Sequence, residues 1–218
     1  EVAAPNLPPH QWPETAERAP FDSIHYATPR LPSDCVIRKP EKLTLRGSES
    51  LESCFEQAML ARRLTTQRAA AKTQFRFKPN SFQQMAGLVV YYNNHLFHYL
   101  YLTYDEEIGA CLQIHSCDDG ISLFPLAEHP VSVPSDELFL KVEIDHCRLQ
   151  FFWSPDDQSY TPVGSELDAS ILSDDHGKHW GFTGSFIGLA CQDLTGGKHP
   201  AEFDFLELVQ LQHDQSHV

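Results

Sequence analysis

The chain is poor in basic residues and has no long apolar run. Sixteen Lys and Arg stand against thirty Asp and Glu, which gives a formal net charge of −14. Such an excess of negative charge repels phosphate backbones and anionic lipids, so we expect neither nucleic-acid nor membrane partners. No apolar run approaches the ~18 residues that would cross a bilayer. At 218 residues and 41% hydrophobic content, the chain suits either one all-β domain or one domain with an appended segment.

The sequence also lacks the short motifs that mark redox, metal and nucleophile sites. There is no CxxC, HxH, HExxH or GxSxG pattern and no phosphate-binding loop, so we predict no cofactor, no metal and no catalytic residue in this chain. His176 lies three residues before His179 and beside Asp174 and Asp175, which could ligate a cation, but a solvated turn is the favoured interpretation. Most cysteines lie in apolar stretches, which indicates free thiols in a reducing compartment; the six are Cys35, Cys54, Cys111, Cys117, Cys147 and Cys191.

Paired acids suggest a glycosidase at first sight, because that chemistry needs two carboxylates across the scissile bond. The chain has four such groups of neighbouring acids, each next to turn-forming residues. Neighbours on a strand point to opposite faces, so adjacency does not make a catalytic pair. We therefore predict solvated turns at Asp105-Glu106-Glu107, Asp118-Asp119, Asp156-Asp157 and Asp174-Asp175.

Short strand signals recur from residue 70 onward at intervals of 8 to 14 residues, which predicts an all-β sandwich or barrel. In LFLKVEID, for example, Leu138, Leu140, Val142 and Ile144 share one face. The earlier segment LESCFEQAMLARRL fits either an amphipathic helix, with Leu51, Phe55 and Met59 on one side, or an edge strand. Five of the fifteen prolines fall in residues 1–20, which predicts an extended linker, and 210–218 is predicted to be a flexible tail.

The richest segment is 84–104, QMAGLVVYYNNHLFHYLYLTY, which holds five of the seven tyrosines. Two strand-like runs flank a turn at Asn93-Asn94-His95, and both faces of the second run are apolar or aromatic. Such a strand either lies between packed layers or carries a carbohydrate-binding face, because flat rings stack on sugars and amides bind hydroxyls. Tyr91, Tyr92 and Asn93 are the candidates for that face.

Several segments resemble the C-terminal concanavalin-A-like β-sandwich domain of family 43 glycoside hydrolases, the β-xylosidases and α-L-arabinofuranosidases. They are FQQMAGLVVYYN, HYLYLTYDEE, DASILSDD and GFTGSFIGLACQDLTGGKHPAEFDF. The resemblance covers about residues 21–208 and implies a two-sheet antiparallel sandwich of the jelly-roll type over 21–209. It also implies that residues 1–20 connect to a preceding catalytic β-propeller. The stretch TTQRAAAK departs from the family pattern, because it is alanine-rich where an aromatic strand is expected.

The resemblance further implies that the catalytic carboxylates belong to the propeller, so this chain alone should not hydrolyse glycosides. A loop of the sandwich is expected to reach the pocket of the propeller through Phe182, with Thr183 and Gly184 fixing its turn. The alternative for Phe182 is an ordinary core position. The implied location is cytoplasmic, the implied substrate is a xylo-oligosaccharide, and a homo-oligomer of the whole enzyme is left open.

With the resemblance, the sequence predicts an accessory domain that packs on a propeller and closes one wall of its pocket. In the absence of the propeller, the docking surface is expected to be an exposed apolar patch. One alternative is a free-standing carbohydrate-binding module for xylan or xylo-oligosaccharides that uses the tyrosine face. Another is an interaction domain with a different protein partner.

Overall fold

The fold consists of β-strands joined by turns, and a computed structural model describes Phe21 and residues 31–39, 41–178 and 184–211. Within those ranges there is no α-helix, and none of their segments forms a helix that could cross a membrane. Short 3-10 turns occur at Ser33–Cys35 and Ala169–Leu172. The predicted linker 1–20 and most of the predicted tail lie outside the described residues.

The described residues form fourteen strands. They are β1 Val36–Lys39, β2 Lys42–Arg46, β3 Ala58–Arg63, β4 Arg68–Arg76, β5 Gln84–Asn93, β6 Leu96–Asp105, β7 Gly109–Asp118, β8 Ile121–Leu123, β9 Val131–Ser132, β10 Glu137–Asp145, β11 Arg148–Ser154, β12 Thr161–Asp168, β13 Phe186–Asp193 and β14 Pro200–Gln210.

The strands form two antiparallel sheets packed face to face. Sheet 1 has the order β1-β2-β14-β4-β10-β11-β12, and sheet 2 has the order β3-β13-β5-β6-β7-β8, with β9 paired to β7. Neighbouring strands are often far apart in sequence: β4 lies between β10 and β14, with Phe75 opposite both Leu138 and Phe203. The predicted two-sheet antiparallel sandwich is confirmed.

The core between the sheets follows from strict alternation along the strands. On β10 the four predicted residues Leu138, Leu140, Val142 and Ile144 all point into it. The alanine-rich segment runs into the central strand β4, where the buried side chains of Ala69, Ala71, Thr73 and Phe75 alternate with half-buried ones. Phe75 stacks on Phe203 with ring centroids 5.5 Å apart.

The tyrosine-rich segment forms the hairpin β5–β6, and both of its faces are buried. Leu100 and Leu102 point into the core between the sheets, whereas Tyr99 and Tyr101 belong to a second cluster on the outer face of sheet 2. The Tyr99 hydroxyl donates to the Ala190 carbonyl oxygen at 3.1 Å. The hairpin therefore packs on both sides, which is the first of the two arrangements that the sequence allowed.

Loop 49–57 covers part of this outer face. Leu51 is buried in the outer cluster, and its backbone N–H donates to Gln192 Oε1 at 3.2 Å. Gln57 is fully buried, and its Nε2 donates to the carbonyl oxygens of Leu51 at 2.6 Å and Ser53 at 2.9 Å.

The helical alternative for LESCFEQAMLARRL is wrong, and the edge-strand alternative is confirmed. The segment runs from this loop into β3, the edge strand of sheet 2. Met59 faces the outer cluster and Leu60 faces the core. Burial on both faces outweighs the helical spacing of Leu51, Phe55 and Met59.

Candidate functional site at one end of the sandwich

The candidate site lies at the end of the sandwich that carries the β3–β4, β5–β6, β7–β8 and β10–β11 turns. The strand register sets this grouping: Phe186 at the start of β13 pairs with Tyr91 near the end of β5, and also with Arg63 at the end of β3. Residues 169–178 and 184–185 lie at the same end. The residues on either side of the proposed pocket loop therefore lie here, whereas Phe182 and Thr183 themselves lie outside the described residues.

Three contacts hold the segment that precedes this loop. The Tyr92 hydroxyl donates to the Asp174 carboxylate. His176 Nε2 lies 2.7 Å from Asp118 Oδ1, and the Lys178 N–H donates to Asp119 Oδ1 at 3.0 Å. Asp118 and Asp119 close the β7–β8 turn, so the segment is tied to sheet 2. Asp118-Asp119 thus lies in a turn as predicted, and sequence reasoning missed its second role in holding this segment.

The segment after the loop is held as firmly. Gly184 has φ +69°, and a Cβ added there would lie 2.8 Å from Arg63 Nη1. Glycine is favoured at such a backbone angle because it has no Cβ. The Ser185 hydroxyl donates to the Leu172 carbonyl oxygen. The Leu64 N–H donates to the Ser185 carbonyl oxygen at 2.8 Å.

The two tyrosines of the candidate carbohydrate face are buried, whereas stacking on a sugar requires an exposed ring. Tyr91 is 3% exposed; its ring stacks on Phe97, and its hydroxyl donates to Gln57 Oε1 at 3.4 Å. Tyr92 is 2% exposed and lies in the core between the sheets. Neither ring offers an open face to a ligand, so the carbohydrate-face prediction gains no support from the structure.

Asn93 has a structural contact of its own. Its Oδ1 accepts from the His95 N–H at 2.8 Å, which closes the β5–β6 turn. This contact is typical of asparagine in tight turns. It uses one of the two amide atoms that would have bound a sugar hydroxyl.

One arrangement of Ser122, His115 and Glu52 resembles a hydrolase triad. Ser122 Oγ lies 2.8 Å from His115 Nε2 and 2.6 Å from Glu52 Oε1. In a working triad the acid binds and orients the imidazole, whereas here the carboxylate contacts the hydroxyl. The imidazole lies between the rings of Phe97 and Phe124, and its burial lowers the pKa of His115. These residues pack the edge of sheet 2.

The other acidic groups also lie in turns, as predicted. Asp105 Oδ1 accepts from the N–H groups of Glu107 and Ile108, and Asp156 Oδ1 accepts from those of Gln158 and Ser159. The described residues contain no group of three or more metal-ligating side chains. His179, the second histidine of the possible cation site, lies outside the described residues.

All six cysteines are unpaired, as predicted. Four are buried, and Cys54 and Cys147 are exposed. Burial raises the pKa of Cys111 to about 11 and that of Cys117 to about 12. These two thiols therefore stay protonated and unreactive at neutral pH.

Exposed apolar side chains occur at both ends of the described structure. Phe55 is 75% exposed and follows Cys54, whose sulfur is 3.5 Å from Asn94 Nδ2 in the β5–β6 turn. Ile121, 66% exposed, follows the β7–β8 turn. Phe82 is also exposed but precedes β5, at the opposite end. The candidate end thus has apolar surface of its own.

Comparison with known proteins gives consistent matches along nearly the whole chain. The family model of the β-xylosidase C-terminal concanavalin A-like domain matches residues 19–208. The β-xylosidase of Bacillus subtilis is 35% identical over 217 residues, which cover 94% of this chain and 40% of that protein. Xylosidase/arabinosidase 43B of Humicola insolens is 36% identical over 191 residues, 83% of this chain and 35% of that protein.

Solved structures give the same picture. The xylan β-1,4-xylosidase from Bacillus halodurans C-125 superposes with a TM-score of 0.79 at 34% identity, covering 96% of this chain and 42% of that one. The chain therefore spans about two fifths of the length of the relatives it matches.

Proposed function

Because this chain belongs to the family of C-terminal concanavalin A-like domains of β-xylosidases, we propose that it packs on the catalytic β-propeller of a family 43 glycoside hydrolase. In that position it stabilises the propeller and supplies one wall of the substrate pocket. The observation that carries this proposal is the match over residues 19–208 to a domain that makes up only about two fifths of its relatives. The acids of this chain that lie in described turns support a non-catalytic role.

The pocket wall is proposed to be Phe182, with Thr183 and Gly184 setting its direction. Support comes from the two neighbouring segments, which are fixed by contacts to the turns of sheet 2 and to the 3-10 turn after β12. His176 and Lys178 are held by the β7–β8 turn, and Ser185 is held by Leu64 and Leu172. A side chain carried between two fixed points can orient a substrate without taking part in the chemistry.

The proposal extends to the substrate and the compartment of the whole enzyme. Relatives with the word xylosidase in their names favour a xylo-oligosaccharide substrate. Unpaired cysteines are typical of a reducing compartment such as the cytoplasm. Self-association of the whole enzyme can be measured by light scattering.

The test uses the whole polypeptide with Phe182→Ala and a matched Phe82→Ala control. Phe82 is an exposed phenylalanine at the opposite end. If Phe182 lines the pocket, its truncation should lower kcat/KM for xylobiose by roughly ten-fold or more, because misplaced substrates react slowly. Phe82→Ala should leave kcat/KM unchanged. Unchanged kinetics in Phe182→Ala would remove the pocket assignment.

A second measurement separates the accessory domain from a carbohydrate-binding module. Calorimetry with xylobiose and xylohexaose on this chain alone should show no heat of binding. Binding by the isolated chain, and its loss in Tyr91→Ala, would instead favour the module.

A further inference from the structure

A cleft of about 570 Å³ opens at the candidate end, between the two sheets. Its walls are the β3–β4 turn, the β10–β11 turn and the 3-10 turn after β12. The described lining residues are Leu64, Thr65, Thr66, Gln67, Ile144, His146, Cys147, Ala169, Ser170, Leu172, Ser173 and Ser185. Ser185 connects the cleft directly to the segment that holds the proposed pocket loop.

The described lining has one titratable nitrogen, in His146, whose Nδ1 lies 2.9 Å from Asp145 Oδ1 just outside the cleft. None of the described lining residues is Asp, Glu, Lys or Arg, although the sequence contains 46 of these. The floor is aliphatic, since Ile144, Ala169 and Leu172 are all buried. Charged residues begin only outside it, in the pairs Arg68–Asp145 at 2.9 Å and Arg148–Glu166. An uncharged centre with a polar rim is the usual layout of a protein interface.

The walls are fixed before anything binds. The His146 N–H donates to the Gln67 carbonyl oxygen at 2.8 Å, which joins the first wall to the second. The Ala169 N–H donates to the Cys147 carbonyl oxygen, also at 2.8 Å, which joins the second wall to the third. Because the walls are already ordered, binding in the cleft costs little conformational entropy and therefore lowers the affinity little.

We propose that this cleft is the seat of the catalytic domain, filled by an uncharged, apolar segment of that domain. The inference rests on the proposed function. Any docking that brings the Gly184–Ser185 segment to the propeller also brings the cleft to it, because Ser185 belongs to both. The relatives carry about three fifths of their length outside this domain, which provides an occupant of sufficient size. An aliphatic floor without an aromatic ring among its described residues fits an apolar side chain better than a sugar.

Cys147 provides the test, because it lines the cleft and its thiol is exposed. Its alkylation rate is measured with iodoacetamide and mass spectrometry, in this chain alone and in the whole enzyme. We expect the rate in the whole enzyme to be at least ten-fold lower. Equal rates in the two proteins would overturn the proposal, as would protection of Cys147 by xylobiose in the isolated chain, which would make the cleft a sugar site.

A variant whose new side chain fills the cleft provides a second test of the proposal. Gln67 and Gln158 are exposed glutamines in turns at opposite ends of the sandwich. In Gln67→Trp the new ring should obstruct the seat, so that the whole enzyme unfolds in two separate thermal transitions and Cys147 regains its reactivity. Gln158→Trp should keep one cooperative transition. Identical behaviour of the two variants would overturn the proposal.

Failure of the proposed function looks different. If this domain and the propeller did not pack together, the unsubstituted enzyme would already unfold in two independent transitions. If they pack through another surface, it would unfold in one transition while Cys147 stays reactive. The isolated chain with Gln67→Trp should have the same melting temperature as the isolated chain without the substitution. That result would show that the substitution acts at the interface and not on the fold of this domain.

Discussion

His98 should make the fold less stable as the pH falls below 7. The imidazole is buried on β6; its Nδ1 lies 2.8 Å from Ser116 Oγ and its Nε2 lies 3.0 Å from the Asp168 carbonyl oxygen. A carbonyl only accepts, so Nε2 carries the proton and Nδ1 accepts from the Ser116 hydroxyl. Burial lowers the pKa of His98, and the smaller effects of Asp168 and Asp118 oppose it.

The sign and size follow from proton linkage. The unfolded chain takes up a proton near pH 6.5 whereas the folded chain does so only at lower pH, so stability is lost as the pH falls through 6.5. One such histidine gives a slope of at most about 1.4 kcal/mol per pH unit in that window. His115, whose pKa burial also lowers, adds a second slope of the same sign. The carboxylates with lowered pKa, Asp193 among them, act in the same direction but only near pH 4 and below.

The assay is urea unfolding followed by tryptophan fluorescence at pH 7.5, 6.5 and 5.5. His98→Gln should cost about 1–3 kcal/mol at pH 7.5, because buried hydrogen-bond partners lose their geometry, and it should flatten the pH slope by up to about half. His129→Gln, at an exposed position, controls for the loss of a histidine. An unchanged slope in His98→Gln would refute the reasoning.

Three further predictions test the packing. Phe203→Ala should destabilise the domain by about 3–5 kcal/mol in urea unfolding, because it opens a cavity beside its stacked partner, whereas the exposed Phe55→Ala should stay within about 0.5 kcal/mol; equal effects would contradict the burial assignment. Gln57→Ala should speed proteolysis within loop 49–57, because the loop loses the two hydrogen bonds that Gln57 Nε2 donates to its backbone. An unchanged cleavage pattern would show that other contacts hold the loop. A thiol reagent should titrate two cysteines rapidly in the native chain, Cys54 and Cys147, and all six after denaturation; a third fast thiol would contradict the packing.

The sequence predicts the strands well because alternation is a local signal. In β10 every second residue is apolar and buried, and in the β5–β6 hairpin the two faces separate as period two requires. The layer over the outer face could not be predicted in this way. This layer depends on one aliphatic residue, Leu51, and one amide, Gln57. Leu51 contacts Gln192 and Gln57 contacts Tyr91, and both partners are distant in sequence.

The site shows the same limit. Gly184 has φ +69°, a backbone angle that favours glycine, and its role in setting the direction of the pocket loop stays a prediction. Asp118 and Asp119 lie in the predicted turn, but no local pattern pairs them with His176 and Lys178, 58 and 59 residues away. The cleft has no sequence signal, because its lining residues come from three separate connections and share only the absence of charge.

Charge distinguishes the cleft from the rest of the sandwich, including the rest of its own end, where Asp118, Asp119 and the Arg148–Glu166 pair lie. The opposite end carries the Asp105-Glu106-Glu107 turn, Asp156 in the β11–β12 turn, and the Lys78–Asp136 pair. Burying those groups against a second domain would require the removal of their hydration, which costs free energy unless each finds a partner. The tyrosine-lined outer face of sheet 2 is buried in this chain, with loop 49–57 over part of it. The cleft has an aliphatic floor, fixed walls and no Asp, Glu, Lys or Arg among its described lining residues, so a neighbouring domain can bury it with less desolvation of charge than the turns at the opposite end require.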